Sequence, residues 1–223
     1  MTRIPVCIFA KPPVPGNVKT RLAKTLGYED AALLASAMLH DVWTAVSGAA
    51  EAIPVLAAAG AGCFSITVPS ENVWHQGTGE LGSRIETILQ RGLRDAPAAI
   101  ALGADSPLIT SQHVKEAIHQ LQSNDAVIGP SRDGGFYLLG LRRCPCGLLQ
   151  NLPWSTAETA RRTEERLKLQ NMNIFELETL LDVDTPSDLQ MLYDELSAAP
   201  PEIAPATRQC LQEFQWSVSS FRR

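Results

Sequence analysis

An α/β fold, a mostly parallel sheet flanked by helices, is what this sequence predicts, and three observations carry it. Apolar runs of strand length alternate with helix-period segments through the first 130 residues, the pattern of strand–helix crossover units. The run Ala98–Gly103 is continuously small and apolar, as suits a strand covered on both faces. The chemically unusual segments all follow strands, at the edge where ligands gather in such sheets.

The elements follow in order. Ile4–Ala10 is an apolar run that suits a buried first strand better than a signal peptide. Tyr28–Val46 has the helical period, with Leu33, Leu34, Met38, Leu39, Val42 and Trp43 in one stripe. Ala52–Ala57 and Phe64–Val68 are expected as the second and third strands, with a polar, glycine-containing loop over Ser70–Glu80. Leu81–Leu93 is a helix, Ala98–Gly103 a central strand, Ser111–Leu121 a helix, Asp125–Gly129 a strand, and Gly135–Leu141 an apolar run after a turn. Ala157–Leu169 is a helix, Ile174–Leu177 a short strand, and Pro186–Leu196 a helix capped near Thr185. The expected division is a catalytic domain over 1–196 and a Pro/Ala-rich connector with a tail over 197–223, in which Gln209–Trp216 forms a short helix packed back on the domain.

Composition narrows the function. The chain has 223 residues, 45% hydrophobic and 19% charged, which suits one ordinary globular domain. Its formal net charge of −5 argues against a polymeric nucleic-acid partner but not against a small anionic ligand. No apolar run has the length of a transmembrane segment. Five irregularly spaced cysteines suit reduced thiols in the cytoplasm. Oligomeric state is left open.

Several motifs can be set aside. Lys19-Thr20 lacks the glycines of a phosphate loop, no serine sits in a G-x-S-x-G elbow, and Cys144-Pro-Cys146 has no second pair to complete a zinc site. His40, His75, His113 and His119 show no ligand spacing, and His40 and His113 suit helix-surface or packing roles.

Five segments and one tryptophan remain. After the first strand, Lys11, Lys19 and Arg21 stand on a proline-stiffened loop able to meet phosphates, Arg21 as a fork and Lys19 as a point charge; a solvated basic loop is the plainer alternative. After the central strand, Asp105 is placed either to hold a hard divalent cation, Mg²⁺ or Mn²⁺, or to cap the next helix. Near the C-terminal helix, Asp182 and Asp184 are two residues apart and share a direction if extended, and the helix cap accounts for Thr185 and Asp188 but not for that pair. Gln76–Arg84 opens a helix whose amides favour an anion, with Gly77 and Gly79 letting a ligand approach. Asp133-Gly134-Gly135-Phe136-Tyr137 is a tight turn that serves a hairpin or leaves room for a sugar or other acceptor. Trp154 either stacks on a ligand or covers the core.

Together, Phe9–Leu22, Gln76–Arg84, Gly103–Pro107, Gly129–Gly140 and Asp182–Pro186 resemble the DUF2064 family, bacterial and archaeal proteins described as type A glycosyltransferases. The resemblance covers roughly residues 4 to 196. It implies a Rossmann-like nucleotide-diphospho-sugar transferase (GT-A) fold. It implies a glycosyltransferase using a nucleotide-diphospho-sugar donor and a divalent cation; nucleotidylyl transfer from a triphosphate to a small phosphorylated acceptor, or a non-catalytic nucleotide-binding module, are the alternatives. The site carried over has phosphates on the Lys11–Arg21 loop (Lys11, Gly16, Lys19, Thr20, Arg21) and on Gly77, Gly79 and Arg84. The metal falls to Asp105 with Asp184 or Asp182, catalysis to Asp105 and Asp133, and the acceptor to Gly134, Gly135, Tyr137 and Trp154. Two departures stand out: the first glycine of the nucleotidylyltransferase G-x-G-x-R loop is absent, and Gly103 occupies the first position of the glycosyltransferase D-x-D signature.

Overall fold

The structure, a computed structural model, describes residues 2–214. In chain order the strands are β1 (Ile4–Ala10), β2 (Ala52–Ala58), β3 (Val73–His75), β4 (Ala99–Gly103), β5 (Ala126–Pro130), β6 (Phe136–Leu141) and β7 (Ile174–Glu176). The helices are α1 (Ala23–Leu26), α2 (Tyr28–Ser47), α3 (Leu81–Gly92), α4 (Ser111–Gln120), α5 (Thr159–Leu169), α6 (Pro186–Ala198) and α7 (Pro205–Glu213). The seven strands form one sheet in the order β3-β2-β1-β4-β6-β5-β7, parallel except for β6, which is antiparallel to both neighbours.

The sheet buries both faces. Along β1, Val6 and Ile8 pack with Val42 and Val46 of α2 and Val114 of α4. The intervening Cys7 packs with Ile88 of α3 on the other side, the period-two alternation of a strand between two helical layers. Because β1, β4 and β5 run the same way, their carboxyl ends share one edge, and the segments singled out in the sequence emerge there.

Two expectations are corrected. Phe64–Val68 is not a strand. Phe64, Ile66 and Val68 pack at alternate positions against the core, so the period-two signal is real, but it serves burial without a ladder. The edge strand is Val73–His75, inside the stretch expected to be loop, and it pairs in parallel with β2 through Leu56 and Val73. The turn of helix at Ala23–Leu26 was not anticipated.

The tail forms α7 over Pro205–Glu213 rather than Gln209–Trp216; Trp216 lies outside the described residues. Helix α7 docks on α2. The buried Asp41 carboxylate accepts from the Ala206 and Thr207 amides at 3.0 and 2.7 Å, meeting donors that a helix start leaves free. Leu211 and Phe214 join Leu34 and Met38 in one apolar cluster. No helix among the described residues is long and apolar enough to cross a membrane.

Candidate active site

The loop after β1 is pinned by two apolar anchors. Val18 is 9% exposed and Leu22 fully buried, and the Ala23 amide donates to the Lys19 carbonyl at 2.8 Å as α1 begins. Between the anchors Lys19 takes a left-handed backbone, φ 47°, which is uncommon for a residue with a Cβ. That turn sends the side chain inward: the Lys19 side chain is 4% exposed, and its Nζ lies 2.7 Å from Asp105 Oδ1 and 2.9 Å from Asp184 Oδ1. It is therefore a buried charge, not the solvated loop charge of the plainer reading. Lys11, Thr20 and Arg21 stay exposed.

The carboxylates arrive from two segments far apart in sequence. Asp105 follows β4. It is not a helix cap, because α4 is capped by Thr110 in a reciprocal box with His113, which gives that histidine a structural role. Asp182 and Asp184 lie on a segment held beside the loop after β4 by the Val183 amide, which donates to the Asp105 carbonyl at 3.0 Å. Thr185 and Asp188 form the capping box of α6, so the cap uses those two and leaves the preceding pair for the site. One ligand oxygen each from Asp105, Asp182 and Asp184 lies within 4.8 Å of the others. Fully buried Ser106 donates from Oγ to Asp182 Oδ1 at 3.0 Å. Three hard oxygen donors, already bridged in part by a positive group, fit a hard divalent cation.

The charges perturb one another. Burial pushes the Asp182 carboxyl up and the Asp105 carboxylate adds to it, while Lys19 opposes only in part, so the group sits at about 7. Burial also pushes Asp184 upward, but Lys19, by charge and direct hydrogen bond, followed by Arg21 and Lys11, holds it below the usual carboxylate range. Burial disfavours the Lys19 ammonium, yet Asp105, Asp184 and Asp182 outweigh that and keep it charged above the ordinary lysine range.

Two chambers open on either side of this group. The larger, about 530 Å³, is lined by Lys11, Lys19, Thr20, Gln76, Arg84 and Asp105, among others. Gln76 is 4% exposed and fixed at both ends, its Nε2 donating to the Ala57 carbonyl at 2.7 Å and its Oε1 accepting from Arg84 at 2.9 Å. Gly16, Gly77 and Gly79 lie in exposed turns beside Asn17 and Gln76, with positive φ. The smaller chamber, about 240 Å³, is lined by Arg21, Asp133, Gly135, Phe136, Tyr137 and Asp182, among others. Asp184, Trp154 and Ser155 line both, which puts the acidic group at the junction.

The hairpin residues divide by role. Asp133 accepts from Ser131 Oγ at 2.6 Å and the Gly135 amide at 2.9 Å, so it shapes the β5–β6 turn that it overlooks. Gly134 does not leave room for a ligand. Its φ is 87°, and a Cβ there would lie 2.2 Å from the Ala157 carbonyl, so the space is filled by the chain leading into α5. Tyr137 is 2% exposed, with its hydroxyl donating to the Glu178 carbonyl at 3.2 Å. Trp154 packs edge-on against Phe136, centroids 5.9 Å apart, and thus covers the core and faces both chambers. Ser106 and Gln76 were not assigned roles from the sequence, although both sit inside motifs that were noted. Buried Glu86, which accepts from the Gly147 and Leu149 amides, carried no sequence signal.

A family model described as an uncharacterized protein conserved in bacteria, DUF2064, matches residues 34–156. The chain belongs to the DUF2064 family. This DUF2064 chain is 33% identical over 178 residues to the 2-phospho-L-lactate guanylyltransferase of Methanosphaerula palustris, covering 78% of each chain. It is 27% identical over 189 residues to the enzyme of the same name from Methanocaldococcus infernus, covering 79% of each. Among solved structures, a Desulfovibrio desulfuricans G20 protein, provisionally assigned as a nucleotide-diphospho-sugar transferase, superposes with a TM-score of 0.85 at 27% identity, covering 96% of this chain and 95% of that one. The fold is therefore that of the nucleotide-diphospho-sugar transferases, and the relatives support a transferase for the DUF2064 chain.

Proposed function

We propose that this protein transfers a nucleotidyl group from a nucleoside triphosphate to a small phosphorylated acceptor, with release of pyrophosphate. The observation that carries the reading is the position of the Asp105–Asp182–Asp184 group at the junction of a larger chamber bearing Lys11, Lys19 and Arg84 and a smaller one bearing Arg21. The guanylyltransferase names of relatives covering more than three-quarters of the chain favour the same reaction.

In this reading Asp105 and Asp184, with Asp182 once deprotonated, hold Mg²⁺ or Mn²⁺. Such a cation, when bound, neutralises phosphate oxygens that gain charge in the transition state. Lys11, Lys19, Thr20 and Arg84 serve the triphosphate, and the turns at Gly16, Gly77 and Gly79 let it approach backbone. Arg21 faces the acceptor chamber and forks onto the incoming phosphate. Gly135, Tyr137 and Trp154 bound the acceptor, Gly134 lets the hairpin close on α5, and Asp133 keeps the turn in shape. An acceptor phosphate oxygen bonds to the α-phosphorus as the bond to the bridging oxygen breaks, and pyrophosphate leaves with the electron pair. A phosphate dianion needs no base to remove a proton, which is consistent with Asp133 being committed to the turn. The five free cysteines favour a reducing compartment such as the cytoplasm.

Glycosyl transfer from a nucleotide-diphospho-sugar is the second reading, favoured by the Desulfovibrio likeness. The two differ in product. The protein is incubated with Mg²⁺, each triphosphate in turn and small phosphorylated acceptors beginning with 2-phospho-L-lactate, and in parallel with nucleotide sugars. Nucleotidyl transfer yields pyrophosphate and a nucleotidylated acceptor by mass spectrometry. Release of a nucleoside diphosphate from the sugar donors, with no pyrophosphate from any triphosphate, would replace it with the second reading.

A further inference from the structure

The geometry points to Lys19 as a resident stand-in for the divalent cation: its ammonium holds Asp105 and Asp184 together in the metal-free protein and leaves that place when the cation arrives with the nucleotide. This rests on the reading of the triad as a cation site. Three observations carry it. The Lys19 ammonium lies 2.7 and 2.9 Å from one oxygen of each aspartate, at the point between the two groups where an ion held by both would sit. The side chain is driven there by a left-handed backbone without glycine, φ 47°, a conformation that persists only where surroundings enforce it. Val18 and Leu22 enforce it from either side. Lys19 also lines the larger chamber beside Lys11, so the released ammonium has somewhere to go.

A permanent structural salt bridge is the competing account, and it predicts the opposite sign for one measurement. If the ammonium occupies the cation's place, it competes with a cation offered alone. Nucleotide relieves that competition, because phosphate oxygens give the displaced ammonium new partners. Removing the lysine should then strengthen binding of the bare cation while weakening binding of the nucleotide. A lysine that merely braces the carboxylates would leave the cation site poorer when removed.

The test is calorimetric titration of MnCl₂, without nucleotide, into the full chain, Lys19→Met, Lys19→Arg and Asp105→Asn, with thermal melts of each in chelator and in Mn²⁺. Lys19→Met should bind Mn²⁺ alone about tenfold tighter than the parent, since Asp105 and Asp184 then lose the ammonium that lies between them. Its melting temperature should fall in chelator and recover with Mn²⁺. Lys19→Arg should restore both properties towards the parent. Equal or weaker Mn²⁺ binding by Lys19→Met, in a series where Asp105→Asn loses the cation, would overturn the stand-in role and leave the triad as a cation site. Failure of every form to bind Mn²⁺, with or without nucleotide, would overturn both. If Lys19→Met does not fold, the parent decides by ¹⁵N spectroscopy of the lysine ammonium groups. The protected Lys19 signal should move on saturation with Mg²⁺ and a non-hydrolysable triphosphate, and an unmoved signal would refute the displacement.

Discussion

Two groups of charges in this molecule have opposite characters. At the start of α5, Arg161 pairs with Glu158, which precedes the helix, and with Glu165 at 2.6 and 2.5 Å, and Arg162 pairs with Glu165 at 3.0 Å, all side chains being 45–52% exposed. At the sheet edge a single lysine side chain, 4% exposed, meets two carboxylates while a third stands beside them. The helix has more pairs and balanced charge, but water and salt screen it, and exposed pairs contribute little. At the sheet edge one buried ammonium stands among three carboxylates. The Asp105 and Asp184 side chains are 43% and 47% exposed, and it is the more deeply buried Asp182 that burial and the neighbouring Asp105 push up to about 7. Concentrated, unbalanced charge is a poor way to stabilise a fold and a common feature of sites that bind or react.

Substitutions can break or sharpen that contrast. The largest effect is expected at Asp105→Asn, which keeps the shape and removes the charge: initial rates of product release should fall about 100-fold or more, roughly 2.7 kcal/mol of transition-state stabilisation. A rate within twofold of the parent would remove Asp105 from the machinery. Next is pH. Metal-free Asp182 keeps its proton to about 7, above the value an unfolded aspartate has. Its contribution to metal-free stability is therefore present at low pH and lost as pH rises through 7. Cation binding displaces that proton, so the sign reverses, and Mn²⁺ affinity should rise about tenfold between pH 6 and pH 8. A flat calorimetric profile would remove Asp182 from the ligand set.

Arg21→Ala should cost about tenfold in affinity for the phosphorylated acceptor and leave the melting temperature of the free protein nearly unchanged, since Arg21 is exposed. Equal losses for the acceptor with and without its phosphate, with a lower melting temperature, would show it to be structural. Arg161→Ala is the smallest: it should change neither the melting temperature nor the activity measurably, and a clear loss of stability would overturn the distinction between the two charge groups.

The site was legible in the sequence where chemistry coincided with topology. Asp105 follows an apolar run that had to be a central strand, and the spacing of Asp182 and Asp184, once the Thr185–Asp188 cap was set aside, put both carboxylates in one direction. The strands β1 and β4 were equally visible, because continuous apolar sequence of that length suits a strand covered on both faces. What escaped depends on the path of the backbone. Nothing in the composition says that Lys19 turns inward, since left-handed backbone at a non-glycine residue has no sequence signature. The closed space beside Gly134 is set by Ala157, which arrives from another element. Phe64–Val68 misled because alternate burial and strand pairing write the same period.

The central claim is that the acidic group at the chamber junction holds a cation that brings in a nucleotide. The most direct test is a calorimetric titration of a nucleoside triphosphate, GTP first, into the full chain in Mn²⁺ and again in chelator. The account predicts saturable binding with Mn²⁺ and affinity at least about tenfold weaker without it, a difference abolished by Asp105→Asn. Equal affinity in both conditions across all four triphosphates, with folded protein, would contradict it.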